Sequence, residues 1–224
     1  MRYRAVVCDV DGTITDLRKV IQTLGIETLR RAQDKGLVVM LASGNVLPIA
    51  YGLSTFIGLE GPVVAENGGI VSYRDEVYRL FSNEMPLKAF AHLEKEIPDV
   101  RRLFTDQWRQ TEVALHRSTD LQKVRELLQN WPVEIEATGF AIHIMERGHS
   151  KMAGVEKACQ LLGLYPSDVV AFGDADNDAI MLKGCGYGVA VGNASDLAKR
   201  AADHVAKKHH SEGVLEGLQH LGLL

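Results

Sequence analysis

Five carboxylates in this chain sit in sequence contexts that suit phosphoryl chemistry. Asp9 and Asp11 stand one residue apart in Asp9-Val10-Asp11-Gly12-Thr13, and Asp174, Asp176 and Asp178 share the late turn Gly173-Asp174-Ala175-Asp176-Asn177-Asp178. Two such close carboxylates can divide labour: one stays ionised and attacks phosphorus, and the other protonates the leaving alkoxide and later activates water. Gly12 lets the backbone approach a phosphate closely. An Asp-x-Asp-Gly stretch taken alone reads equally well as a plain turn. Carboxylates converging in one crevice repel each other unless a cation intervenes. An oxygen-only ligand set with no matching Cys or His favours a hard ion, and Mg²⁺ is the expectation.

Convergence requires that the turns lie on one edge of one sheet. Ala5–Cys8 is a short valine-rich run ending at Asp9, as in a strand buried on both faces. Val38–Ala42 ends in Ser43-Gly44-Asn45, and Val63–Ala65 ends before Asn67-Gly68-Gly69. Val169–Phe172, Gly188–Val191 and His204–Ala206 repeat the pattern late in the chain. Between them lie helical segments: Leu17 to Ala32 by apolar spacing, one opened by Pro48, then Lys151–Leu162, Asn177–Lys183 and Asp196–Ala202. Alternation of this kind predicts a parallel α/β sheet, whose ligands bind beyond the carboxyl ends of the strands. From residues 82 to 148 the rhythm changes. Helices over Ala89–Glu96 and Leu121–Trp131 alternate with strands over Arg101–Thr105, Glu112–His116, Val133–Ala137 and Phe140–Met145, the last two turning at Gly139. That is the signature of a smaller inserted α+β unit.

Four motifs in this order resemble those of the haloacid dehalogenase-like phosphatase superfamily: Asp9 to Thr13, Ser43-Gly44, Lys151 after Gly148-His149-Ser150, and Gly173 to Asp178. The resemblance spans the whole chain. It implies a Rossmann-like parallel core over residues 1–81 and 149–224, with an α+β cap of the second class over 82–148 that closes on the site and selects the substrate. It makes Asp9 the nucleophile and a metal ligand. Asp11 becomes the acid/base, contributing a carboxylate or its backbone carbonyl to the metal. Ser43, Gly44 and Lys151 bind the phosphoryl group; Asp174 is a further metal ligand, and Asp178 supports the metal or orients Lys151. Asp176 is assigned no definite role. Ser43-Gly44-Asn45 with Glu66-Asn67-Gly68-Gly69 looks most like archaeal-type phosphoglycolate phosphatases, so the implied reaction is Mg²⁺-dependent removal of phosphate from 2-phosphoglycolate. Many relatives carry Arg where this chain has Asn45. A sugar-phosphate phosphatase and a sugar phosphomutase are the alternatives on the same scaffold.

The remaining features are read conservatively. Cys8, Cys159 and Cys185 form neither a disulfide framework nor a zinc pattern, and Cys8 reads as a packed thiol. Arg109, His116 and Arg117 could meet a substrate carboxylate but read first as solvated surface; His143, between Ile142 and Ile144, reads as structural or exposed. Trp108 and Trp131 read as cap core or surface anchors, Asn193 as a rim residue, and Lys207 to His210 as a solvated turn. A net charge of −4 offers no basic surface for nucleic acid. No apolar run approaches the roughly 18 residues of a membrane span. The expectation is a cytoplasmic enzyme acting on a small phosphorylated metabolite; an apolar face could support a homodimer, although nothing in the sequence proves one.

Overall fold

The computed structural model describes residues 2–224. Its larger sheet has eight strands: β1 (Ala5–Asp9), β2 (Val38–Ala42), β3 (Val63–Ala65), β4 (Ile70–Tyr73), β5 (Glu76–Arg79), β9 (Val169–Gly173), β10 (Tyr187–Ala190) and β11 (His204–Val205). Across the sheet they run β11-β10-β9-β1-β2-β3-β4-β5, parallel from β11 to β3, with β4 and β5 antiparallel. The expected α/β class with a parallel core is therefore what the chain adopts. The order reverses at β1, which lies between β9 and β2, so the Asp9 end of β1 faces a crevice at the topological switch point.

Both faces of the sheet are covered. Residues alternate across β1, with Val6 and Cys8 packing with α1 (Thr23–Asp34) and α8 (His210–His220) through Leu29, Val214 and Leu218. Ala5 and Val7 pack the other way, with α5 (Lys151–Leu162), α6 (Ala179–Gly184) and α7 (Asp196–Ala201). Burial on both faces explains the uninterrupted valine runs. The α2 helix (Leu47–Ile57) carries Pro48 in its first turn, where no intrahelical donor is lost, and ends at Gly58 in the left-handed region.

The smaller α+β unit comprises α3 (Glu84–Glu96), β6 (Glu112–His116), α4 (Leu121–Leu128), β7 (Val133–Ala137) and β8 (Ala141–Glu146), with an antiparallel sheet ordered β6-β8-β7. It has a core of its own, in which Ala89, Leu93, Val124 and Leu128 meet Val113, Leu115, Ile142 and Ile144. Asp120 caps α4 by accepting from the backbone N–H groups of Gln122 and Lys123.

Two local expectations differ from the structure. Residues 101–105 do not form a strand: only Arg102 bridges to Leu115, and Phe104–Trp108 is a short 3₁₀ turn because the buried Asp106 carboxylate takes the Ala114 N–H instead of leaving it to a fourth strand. The helix before Gly36 starts at Thr23, not near Leu17. Asp16 accepts from the N–H groups of Arg18 and Val20, an alternative to helical bonding that folds residues 15–21 into a flap, closed by a Thr15–Ile21 bridge. The β4–β5 hairpin and α8 are further elements that the apolar pattern does not announce. Among the described residues no helix is long and apolar enough to cross a membrane.

Candidate active site

Asp9 closes β1 and is 4% exposed. Lys151 is the first residue of α5, placed there by Ser150, whose side chain caps the helix at the Ala153 N–H. A lysine in the first turn opposes the helix dipole. This one is also 2% exposed, so something must hold its charge. Its Nζ donates to Asp9 Oδ1 at 2.5 Å and to Asp178 Oδ1 at 2.6 Å, and those two carboxylates hold its pKa above the ordinary range despite burial. Asp178 is saturated, since its Oδ2 also accepts from the Asp174 and Ala175 N–H groups.

The second oxygen of Asp9, Oδ2, is buried with no partner. Asp9, Asp174 and Asp178 each bring a carboxylate oxygen within 4.8 Å of the others. Burial first, and then the charge of Asp178, pushes Asp9 well above the usual carboxylate range and Asp174 up to about 6. Desolvated, mutually repelling and with one oxygen orphaned, the set fits a hard divalent cation through an all-oxygen donor set. Thr13 fixes Asp174 by donating to its Oδ1 at 2.9 Å. Gly12 is irreplaceable on two counts: its φ is +92°, and a Cβ there would lie 2.3 Å from Asp174 Oδ2. The Gly12 carbonyl is held by Asn193 Nδ2 (2.9 Å) and His210 Nδ1 (2.6 Å).

Asp11 stands apart from that triad. Its carboxylate accepts from Asn45 Nδ2 at 2.7 Å and has Lys19 Nζ 3.8 Å away. Ser43 accepts at Oγ from the Asn45 N–H and Nδ2 groups (3.0 and 3.2 Å), which leaves its hydroxyl proton free to donate. Gly44 lies on the wall of the cleft, where a Cβ would meet Asn67 Oδ1 at 2.9 Å. Asp176 does not join the other carboxylates; it accepts from Ser195 Oγ at 2.5 Å. The cleft over these groups has a volume of about 340 Å³, and Lys19, Arg117 and Phe140 also line it.

Several roles were not legible in the sequence. Arg109 is not solvated: it is buried, ion-paired with Glu112 and donates to the Gly44 carbonyl at 3.0 Å. His143 is buried too, because its face of the smaller sheet covers the larger domain. Burial and the Arg109 charge hold it neutral, and its Nδ1 donates to Glu112. Glu112 also accepts from Asn67 Nδ2 at 3.0 Å. Asn67 could have been suspected from its place before Gly68-Gly69, since its φ of 53° is one that Asn tolerates. His210 fixes Gly12 although the stretch around it reads as a solvated turn; nothing short-range signals that contact. His116 is exposed and pairs with Ser118, and Cys8 is buried.

His149 closes the seam beside Lys151, stacking on Phe81 with ring centroids 4.5 Å apart and donating from Nε2 to the Glu66 carbonyl. Burial lowers its pKa to about 4. The unfolded chain, with an ordinary imidazole, takes up a proton near pH 6.5 that the folded protein refuses until about pH 4, so stability falls as pH falls through that window. The expected loss attributable to His149 is about 2 kcal/mol between pH 7 and pH 5. Urea unfolding at both pH values should show a smaller loss in His149→Gln, and equal losses would contradict the assignment.

Comparison with known proteins adds the lineage. Residues 6–105 and 113–218 match the haloacid dehalogenase-like hydrolase family. The chain is 38% identical over 216 residues to a Methanothermobacter thermautotrophicus protein named phosphoglycolate phosphatase, covering 96% of this chain and 97% of that one. A Methanopyrus kandleri protein of the same name is 38% identical over 223 residues, covering 96% of each. A crystal structure of a Thermoplasma acidophilum protein superposes with a TM-score of 0.92 at 32% identity over the full length of both chains. With its carboxylates gathered at the switch point of such a sheet, the chain belongs to the haloacid dehalogenase-like hydrolases and is an enzyme of their phosphatase kind.

Proposed function

We propose that this enzyme is a Mg²⁺-dependent phosphomonoester hydrolase that forms an aspartyl-phosphate on Asp9 and acts on 2-phosphoglycolate. The observation that carries the reading is the asymmetry of Asp9: one oxygen is bound by Lys151, and the other is buried, unpartnered and beside Asp174. Asp9 and Asp174 would hold the cation directly, while Asp178, whose oxygens are already engaged, orients Lys151. Bound Mg²⁺ would neutralise the carboxylates and the phosphate that they must approach. Asp9 in its ionised form, which the neighbouring Lys151 favours, attacks phosphorus. Ser43 and Lys151 donate to the phosphoryl oxygens as charge builds on them. Asp11, held by Asn45, protonates the departing alkoxide and then takes a proton from the water that attacks the aspartyl-phosphate. This role leaves the Asp11 carboxylate free of the metal. Residues 82–148 act as the cap: Arg109, Glu112 of β6 and His143 of β8 cover the seam, and the Gly139–Phe140 tip overhangs the cleft.

The substrate assignment rests on the names of the archaeal relatives and on a small cleft. Phosphate release should be measured with Mg²⁺ on 2-phosphoglycolate, hexose phosphates and p-nitrophenyl phosphate. The expected result is a kcat/KM preference for 2-phosphoglycolate, abolished by a chelator and restored by added Mg²⁺. A hexose-phosphate preference would replace the substrate and keep the mechanism. Transfer within one sugar with little free phosphate would favour the phosphomutase, and activity indifferent to chelation would overturn the metal site.

A further inference from the structure

The mouth of the cleft carries two cations that the phosphoryl machinery leaves unused. Lys19 is placed there by the flap. The Asp16 carboxylate binds the Arg18 and Val20 N–H groups, the Lys19 N–H donates to the Asp16 carbonyl, and Lys19 turns with a φ of 62°. That left-handed conformation is one that glycine or asparagine fills with less strain. A lysine in it is a local rule broken in favour of its side chain. The ammonium crosses the cleft, lying 4.1 Å from the centroid of the Phe140 ring and 3.8 Å from Asp11 Oδ1. Arg117, which lines the same cleft, spends Nη1 on the Gly139 carbonyl at 2.7 Å, and that bond steadies the guanidinium beside the hairpin tip. Neither has a tight carboxylate partner: Asp16 is taken by backbone and by Arg18, and Asp11 by Asn45.

We propose that Lys19 and Arg117 form a second anion site, which holds the carboxylate of a short phosphorylated acid while its phosphate sits at Asp9 and Lys151. The proposal rests on the phosphatase reading given above and deepens it. Asp11 is the group that meets the leaving oxygen, and Lys19 is its immediate neighbour. A carboxylate bound by Lys19 is therefore one or two carbons from the ester oxygen. A phosphorylated hydroxy acid of two or three carbons spans that distance, whereas the hydroxyl rim of a hexose is better met by neutral donors and acceptors than by two cations. Flap and hairpin tip would both close on the same group, so that the end of the substrate remote from the chemistry fastens the cleft mouth.

The test compares 2-phosphoglycolate with ethyl phosphate, in which a methyl replaces the carboxylate. Binding is read by calorimetry with Mg²⁺ in the Asp9→Asn background, where no turnover interferes, and again after adding Lys19→Gln, Arg117→Gln or both. The parent should bind 2-phosphoglycolate at least about tenfold tighter than ethyl phosphate. Each substitution should reduce that ratio about tenfold, or bring it to one, as expected for loss of a charge-assisted bond. Lys19→Arg should retain most of it. A parent ratio near one overturns the site, as does a ratio that the variants leave unchanged; equal weakening of both esters would mean that Lys19 acts through Asp11. Turnover by the wild-type enzyme is scored separately. If it releases phosphate from neither ester, the phosphatase reading fails, and the binding ratio still decides the anion site.

Discussion

Asp9→Asn is expected to lower kcat by at least about ten-thousandfold, because the substitution removes the attacking oxygen while the donors around the phosphate remain. Its effect on stability should run the other way. Without Mg²⁺, Asp9, Asp174 and Asp178 are three crowded carboxylates, and desolvation and mutual repulsion hold Asp9 and Asp174 toward their protonated forms. An asparagine relieves that repulsion, and Asp178 alone still pairs Lys151 at 2.6 Å. Thermal unfolding in chelator should therefore show a Tm equal to or above the wild-type value, an activity–stability trade-off located in one side chain. A lower Tm would mean that Asp9 is a structural partner first. Appreciable turnover with an intact fold would remove it from the chemistry.

Lys151→Met should damage both properties at once. Lys151 is buried and bridges Asp9 and Asp178, so its loss leaves two carboxylates without their cation in a site shielded from water. Removing one partner from such a buried pair costs about 3–5 kcal/mol. Urea unfolding in chelator should show a loss of that size, part of which added Mg²⁺ recovers. Loss of a fixed cation from the developing phosphoryl charge should lower kcat by about a hundred- to a thousandfold. Unchanged stability with lowered kcat would show that the two carboxylates are content protonated and that the ion pair contributes little to the fold.

Much of this was legible in the sequence, for a physical reason. Strands buried on both faces must be continuous apolar runs, so β1, β2 and β9 announce themselves, and the polar residue that ends each run is fixed at one edge of the sheet. Lys151 stood out through the resemblance, as the lysine opening a helix after Gly148-His149-Ser150, and Ser150 does cap that helix. The parts that were missed depend on contacts between distant segments. The Asp106 carboxylate and the Ala114 N–H, eight residues apart, turn an expected strand into a 3₁₀ turn. The flap imitates a helix because Leu17, Val20 and Ile21 have helical spacing, yet Leu17 is 92% exposed and Asp16 has already claimed the backbone. Arg109 looks like a surface residue, and His143 equally well structural or exposed, until the smaller unit is laid against Gly44 and Asn67. Asn45 becomes intelligible once Asp11 is found on its amide. The tighter contact to that carboxyl comes from a neutral donor, which suits the acid/base role proposed for Asp11.

The central claim is that phosphate passes through Asp9. The most direct measurement is an acid quench of enzyme, Mg²⁺ and excess 2-phosphoglycolate within the first turnover, followed by peptide mass spectrometry. The account predicts a single phosphoryl group on the peptide containing Asp9, carried by the Asp9 side chain and absent from Asp9→Asn. Phosphate released at full rate with no adduct on that peptide, or an adduct on another residue, would contradict it.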